Sequence, residues 1–236
     1  MPNPYFSFKQ FTIWHDRCAM KVGTDGVLLG AWAPAEGCRH ILDVGTGTGL
    51  IALQLAQRFP QAHIVGVEID AEAAKQAAEN VQNSPWPDRI QVQTGDFRLY
   101  TPTHSFDLIV SNPPYFVDAL NCPNLQRNTA RHAGGLNYEL LFQRSAQMLT
   151  PTGIVAVVIP AETEAHVMHV AGNHGFYTYH RLSVFTKPNK PCRRILLALG
   201  TNPMHSHQEE ILHIEDDNGN YSPAYKALTG SFYLKM

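Results

Sequence analysis

The sequence predicts a doubly wound α/β fold on a mostly parallel sheet whose last strand runs antiparallel. Three observations carry this. From residue 40 onward, short β-branched runs alternate with stretches of helical composition, the pattern of repeated βα units. The runs are apolar almost throughout, as expected of strands covered on both faces. The first run ends in Gly45-Thr-Gly-Thr-Gly49 and passes straight into a helical stretch, the kind of turn at which such folds hold ligands.

The elements follow in order. Residues 40–44 form the first strand. Residues 50–59 form a helix with Ile51, Leu53, Leu55 and Ala56 inward and Pro60 closing it. The second strand is 63–68, and Asp70 caps an alanine-rich helix over 71–81. Strands at 90–93 and 106–110 follow, then an irregular stretch from 111 to 136. A helix at 138–149, a buried strand at 153–159 and a helix at 163–174 come next. Strands at 176–185 and 194–199 close the sheet as an antiparallel pair, bringing its strands to seven. The turn between them, Thr186-Lys-Pro-Asn-Lys-Pro-Cys-Arg193, is too proline-rich for either strand. A further edge strand is allowed at 210–214. Before the alternation begins, Phe6, Phe8, Phe11, Ile13 and Trp14 suggest a short strand or hairpin, and residues 26–32 a helix on the sheet edge. No repeat or linker divides the chain. One domain is expected over 1–236, with an N-terminal extension (1–35), a core (36–200) and a C-terminal extension (201–236).

With 236 residues, of which 44% are hydrophobic, the chain can bury a core without staples and is not disordered. A net charge of −2 excludes a uniformly basic nucleic-acid binder. The charge is nonetheless uneven: residues 41–120 carry net −5 and residues 121–200 net +5. Arg181, Lys187, Lys190, Arg193 and Arg194 fall together with no acid among them. Cys18, Cys38, Cys122 and Cys192 form no CxxC pair, so they read as free thiols. The opening residues lack the order of a secretory leader, and no apolar run approaches membrane-spanning length. A cytoplasmic protein with no membrane partner and no obligate protein partner is expected.

Three features mark a nucleoside site. Gly45, Gly47 and Gly49 let the backbone approach a ligand at a helix N-terminus. Glu68 ends the next strand, where a carboxylate accepts from ribose hydroxyls. Asp96, in Thr94-Gly-Asp-Phe97, is placed to accept from an adenine amine while Phe97 packs on the ring. The loop reads GxGxG and not the GxGxxG of dinucleotide folds. Asp43, two residues before it, would repel a pyrophosphate and attract an ammonium. These properties suit S-adenosylmethionine and disfavour a nicotinamide dehydrogenase.

The fourth strand runs into Asn112-Pro-Pro-Tyr115 and Phe116. Strand C-termini of such sheets open onto the ligand crevice. Pro113 and Pro114 stiffen the turn, and prolines keep carbonyl acceptors without donors. Asn112 Oδ1 and the Pro113 carbonyl can accept both hydrogens of a planar amine and turn its lone pair toward an electrophilic methyl. Tyr115 offers a face to the target ring.

Taken together, Asp43-Val-Gly-Thr-Gly-Thr-Gly49, Val67-Glu-Ile-Asp70, Gly95-Asp-Phe97 and Asn112-Pro-Pro-Tyr115 resemble the class I S-adenosylmethionine-dependent methyltransferases of the N6-adenine type. The resemblance spans about residues 15–200. It includes Phe11-x-x-x-His15 and Met20-Lys-Val-Gly-Thr-Asp-Gly-Val-Leu-Leu-Gly30, features of the branch that modifies tRNA. It implies the Rossmann-like class I fold, S-adenosylmethionine as cofactor and an adenine of a tRNA anticodon loop as target. The cofactor site it implies comprises Lys21, Val22, Thr24, Asp43, Gly45, Thr46, Gly47, Gly49, Glu68, Ile69, Asp96, Phe97 and Asn112. In such enzymes the stretch before the first strand covers the methionine end, which gives residues 21–25 a lid role. The same Asn-Pro-Pro-Tyr chemistry also serves methyltransferases of protein glutamine and of ribosomal RNA guanine. A catalytically silent RNA-binding protein is the reading from another class.

A tRNA base must leave its stack to reach such a cleft. Tyr115 and Phe116 are then stacking partners, and Arg127, Arg131, Lys187, Lys190, Arg193 and Arg194 are phosphate contacts. Residues 121–136 suggest a flap over the target. The twelve histidines, among them His166, His169, His205, His207 and His213, read as solvent-facing, and no metal is expected.

Overall fold

The computed structural model describes residues 3–113, 136–203 and 207–235. Strands β1 (Tyr5–Ser7) and β2 (Thr12–Trp14) form an antiparallel hairpin, as the aromatic cluster suggested. Then come α1 (Thr24–Trp32), β3 (His40–Val44), α2 (Leu50–Arg58), β4 (His63–Glu68), α3 (Ala71–Gln82), β5 (Ile90–Thr94) and β6 (Phe106–Ser111). The second half holds α4 (Tyr138–Met148), β7 (Leu149–Pro160), α5 (Glu164–Asn173), β8 (Tyr177–Phe185), β9 (Cys192–Gly200), β10 (Gln208–His213) and α6 (Pro223–Thr229).

Strands β3 to β10 make one sheet in the order β10-β8-β9-β7-β6-β3-β4-β5. Only β9 runs antiparallel to its neighbours, β7 and β8; the other pairings are parallel. The Rossmann-like α/β expectation holds, with the antiparallel strand the last of the seven. The sheet has an eighth strand, β10, paired on the outer edge of β8. It is weak in the sequence because only Leu212 of its six residues is buried.

Alternate residues of the central strands enter separate cores. Ile41, Leu108, Val110, Ile154, Ala156 and Val158 face α1, α2 and the hairpin, while Leu42, Ile109, Val155, Val157 and Ile159 face α4 and α5. Two buried faces explain why these strands read as continuous apolar runs.

Two elements differ from expectation. Strand β7 starts at Leu149, four residues early, because a register irregularity between Phe106 and Leu108 accommodates 149–153 beside β6. A Cβ at Gly153 would lie 2.8 Å from the Phe106 carbonyl oxygen, so glycine is required there. Helix α1 does not sit on the sheet edge. Its residues Gly26–Trp32 are all buried, and it packs against α2 and central strand β7; a helix apolar all round needs partners on several sides.

Residues 207–235 complete the fold. Phe8 bridges to Tyr233, the Lys9 amide donates to the Phe232 carbonyl at 2.8 Å, and Lys9 Nζ donates to the Gly230 carbonyl at 2.5 Å. Among the described residues no helix is long and apolar enough to cross a membrane.

Candidate active site at the C-terminal edge of the sheet

The parallel strands β3, β4, β5 and β6 end at one edge of the sheet. Val44 of β3 pairs with Ser111 of β6, and Ser111 Oγ donates to the Val44 carbonyl at 2.9 Å. That pairing sets the glycine turn beside Asn112. Gly45, Gly47 and Gly49 take φ of +70°, +57° and +81°, values at which a side chain is strained. The turn is tied to β4: the Gly45 and Thr46 amides donate to the Val67 carbonyl at 2.8 and 3.2 Å. The Gly47 amide donates to Glu68 Oε2 at 2.8 Å, and the Asp70 amide to Glu68 Oε1 at 3.0 Å. Glu68 therefore shapes the turn through one side of its carboxylate. Asp70 caps α3 as expected, accepting from the amides of Glu72 and Ala73.

Asp43 is fully buried beneath the turn and not at its mouth. Thr46 Oγ1 donates to its Oδ2 at 2.6 Å. The Ala52 amide also favours the carboxylate, and no hydrogen bond of ordinary geometry reaches its Oδ1. Burial outweighs these two groups and, with a smaller push from Glu68, raises the Asp43 carboxyl to about 7. An imperfectly satisfied buried carboxylate is a standing attraction for a cationic ligand. With the uncapped N-terminus of α2 at Gly49 for a carboxylate, the turn fits an amino acid moiety. The residues present thus fit S-adenosylmethionine.

The nucleoside end follows. Ile69, next to Glu68, is 64% exposed, an apolar side chain left in the open at the strand end. Asp96 accepts from the Arg98 amide at Oδ1 and from Arg98 Nε at Oδ2, and the Arg98 guanidinium holds its carboxyl below the usual range. Phe97 is buried in the core beside Val67 and Ile109 and presents little ring face.

The N-terminal residues lie against the turn. A side chain at Gly47 would begin 3.8 Å from Cys18 Sγ. Lys21 and Thr24 are exposed and Val22 packs on the core. Two further residues hold this segment. Asn80 of α3 donates from Nδ2 to the carbonyls of Trp14 and Thr48, each at 2.9 Å, and accepts from the Trp14 amide. Gln76 donates to Asp16 Oδ1 at 2.6 Å and accepts from the Arg17 amide. Both sit at the buried face of α3. A polar i, i+4 pair on an otherwise alanine-lined face was the available clue, since buried amides need partners.

Asn112 is half-buried and Pro113 buried at the end of β6. The first turn of α1 abuts them: a Cβ at Gly26 would lie 3.1 Å from Leu50 Cδ2 and 3.9 Å from Asn112 Nδ2. Pro114, Tyr115, Phe116, Arg127 and Arg131, with the flap expected over 121–136, lie outside the described residues except for Leu136.

The basic turn reaches the same edge. β8 runs parallel to β7, so the turn from Phe185 to Cys192 emerges where β6 and β3 end. Lys190 and Arg193 are exposed on it. The others are engaged within the protein: Lys187 with Glu215 at 3.1 Å, Arg194 with Asp25 at 2.9 Å and Arg181 with Glu164.

Comparison with known proteins agrees with this geometry. Residues 22–174 match the Methyltransferase small domain. The chain is 51% identical, over the full length of both, to the tRNA1(Val) (adenine(37)-N6)-methyltransferases of Bacteroides fragilis and Bacteroides thetaiotaomicron. It is 46% identical to that of Tolumonas auensis over 98% of this chain and 97% of the relative. Among solved structures, a predicted O-methyltransferase from Agrobacterium tumefaciens shares the fold, with a TM-score of 0.71 at 18% identity over 88% of this chain and 96% of that one. Glycine turn, acidic strand ends and Asn-Pro corner stand where the fold needs them, and the chain belongs to the methyltransferase small domain family, alongside the bacterial tRNA1(Val) (adenine(37)-N6)-methyltransferases.

Proposed function

We propose that the protein methylates the exocyclic N6 amine of adenine 37, beside the anticodon of tRNA1(Val), and that it does so in the cytoplasm as a single catalytic domain. The observation that carries this is the adjacency of three features on one sheet edge: the glycine turn, Asn112 and the basic β8–β9 turn. The names of the full-length relatives support the substrate.

S-adenosylmethionine, when bound, supplies an electrophilic methyl on a sulfonium. Asp43 and the α2 N-terminus hold its amino acid end, Glu68 accepts from its ribose hydroxyls, and Ile69 and Asp96 flank its adenine. Lys21, Val22 and Thr24 cover it. On the substrate side, Asn112 Oδ1 and the Pro113 carbonyl accept the two hydrogens of the target amine, which pulls the nitrogen lone pair out of conjugation. No base of shifted pKa is required, because the proton leaves to water once the nitrogen is cationic. Catalysis is then positioning plus charge-matched acceptors. Pro114 stiffens this corner, Tyr115 and Phe116 stack on the flipped base, and Arg131, Lys187, Lys190 and Arg193 contact phosphates.

The test supplies labelled S-adenosylmethionine with tRNA1(Val) transcript, ribosomal RNA and release-factor protein as separate acceptors, followed by nucleoside mass spectrometry. N6-methyladenosine at position 37 is expected. Label in protein or ribosomal RNA alone would overturn the substrate, and no label in any acceptor would overturn the activity.

A further inference from the structure

Arg194 was expected to meet an RNA phosphate, and its surroundings give it other work. Its Nε donates to Asp25 Oδ2 at 2.9 Å, across 169 residues, and one Nη donates to the Arg193 carbonyl at 3.0 Å. Both side chains are mostly sheltered, with 29% and 24% of their surface exposed, so the pair is less screened than a rim contact.

The two partners belong to opposite sides of the reaction. Arg194 is the third residue of β9, two past the end of the basic turn, and pairs in register with Pro160 at the end of β7. Asp25 lies in the first turn of α1, where a carboxylate also suits the helix dipole. The next residue, Gly26, faces Leu50 and the Asn112 side chain: a Cβ added there would lie 3.1 Å from Leu50 Cδ2 and 3.9 Å from Asn112 Nδ2. Arg194 and Asp25 therefore link the start of β9 to the helix turn that borders the Asn112 amide.

We infer that Asp25 and Arg194 are a positioning pair that seats the first turn of α1 against Asn112 and couples that seat to the basic turn. This rests on the tRNA methyltransferase reading above. Arg194 then acts on kcat through Asn112 and does not add a phosphate contact. A misplacement of about 1 Å at a reacting group costs up to about 100-fold in rate, so a loosened seat registers in turnover before it registers in binding.

The test uses the full chain and tRNA1(Val) transcript, with Asp25→Asn, Arg194→Gln and the double variant. It reads kcat at saturation, the tRNA Kd and its slope against salt, and the cofactor Kd by calorimetry. Each single variant should lower kcat about 10- to 100-fold while leaving the tRNA Kd and salt slope near wild type. The double variant should fall clearly short of the product of the two single losses, because the Asp25–Arg194 bond is lost in each. The inference is overturned if Arg194→Gln weakens tRNA binding and flattens the salt slope by about one unit with kcat retained, or if Asp25→Asn behaves as wild type. Should Arg194→Gln not fold, Arg194→Lys decides: a positioning role predicts lowered kcat at unchanged tRNA Kd, a phosphate contact predicts wild-type behaviour. Wild-type protein that methylates no tRNA would instead sink the underlying function.

Discussion

Asn80 on α3 donates to the carbonyl of Thr48 in the glycine turn and to the carbonyl of Trp14 in the N-terminal hairpin, both at 2.9 Å. One amide thus fastens the glycine turn to the N-terminal hairpin. The side chain is 1% exposed, so its partners have little water to fall back on.

Asn80→Ala strands those carbonyls and the Trp14 amide. At about 1–3 kcal/mol for each buried group left unpaired, the loss should be on the order of 3 kcal/mol, visible as a lowered midpoint in chemical denaturation. Asn80→Asp keeps the acceptor for the Trp14 amide but neither donation, and should be nearly as harmful. Wild-type stability in the aspartate variant would show that the donated bonds contribute nothing.

Asp43 makes stability depend on pH. Its carboxyl titrates near 7 in the folded protein and near about 4 when unfolded. Between those values the folded state holds a proton that the unfolded state has released, so this contribution is complete below about pH 4 and is lost as pH rises through 7. Asp43→Asn removes the slope. The difference in melting temperature between variant and wild type should therefore move in the variant's favour from pH 5 to pH 8; a constant difference would refute the buried-carboxyl account. A cationic ligand favours the ionised carboxylate, so calorimetry near pH 6 should show proton release when S-adenosylmethionine binds.

Asn112→Ala should reduce kcat by about 2–4 kcal/mol in transition-state free energy, the range for one pre-organised acceptor or donor. The tRNA Kd, set by the phosphate contacts, should change little. Turnover within a few-fold of wild type would show that the side-chain amide does not orient the target amine.

Much of this site was legible because its residues must lie at strand ends. The Gly45–Gly49 turn, Glu68 and Asn112 each follow an apolar run, and parallel strands deliver all of them to one edge. What was not legible required tertiary knowledge. Asp43 is in the motif, but only the structure shows it sealed under the turn. Asn80 and Gln76 looked like ordinary helix residues, since the backbone groups they satisfy are more than thirty positions away. Arg194 and Lys187 belonged to a run of basic residues without acids; their partners, Asp25 and Glu215, come from α1 and from the chain beyond β10. Strand β10 was legible only as an allowed edge strand at 210–214, since it carries one buried side chain.

The anchoring of the N-terminal hairpin by Phe232 and Tyr233 also sets a schedule for biosynthesis. Lys9 and Gly230 are separated by 221 residues, so at about 5–20 residues per second a ribosome takes roughly 10–45 s to deliver the second after the first. During that interval the aromatic hairpin can rest on α3 through Asn80 but lacks its bonds to residues 230–233. Its second anchor waits for the distant segment.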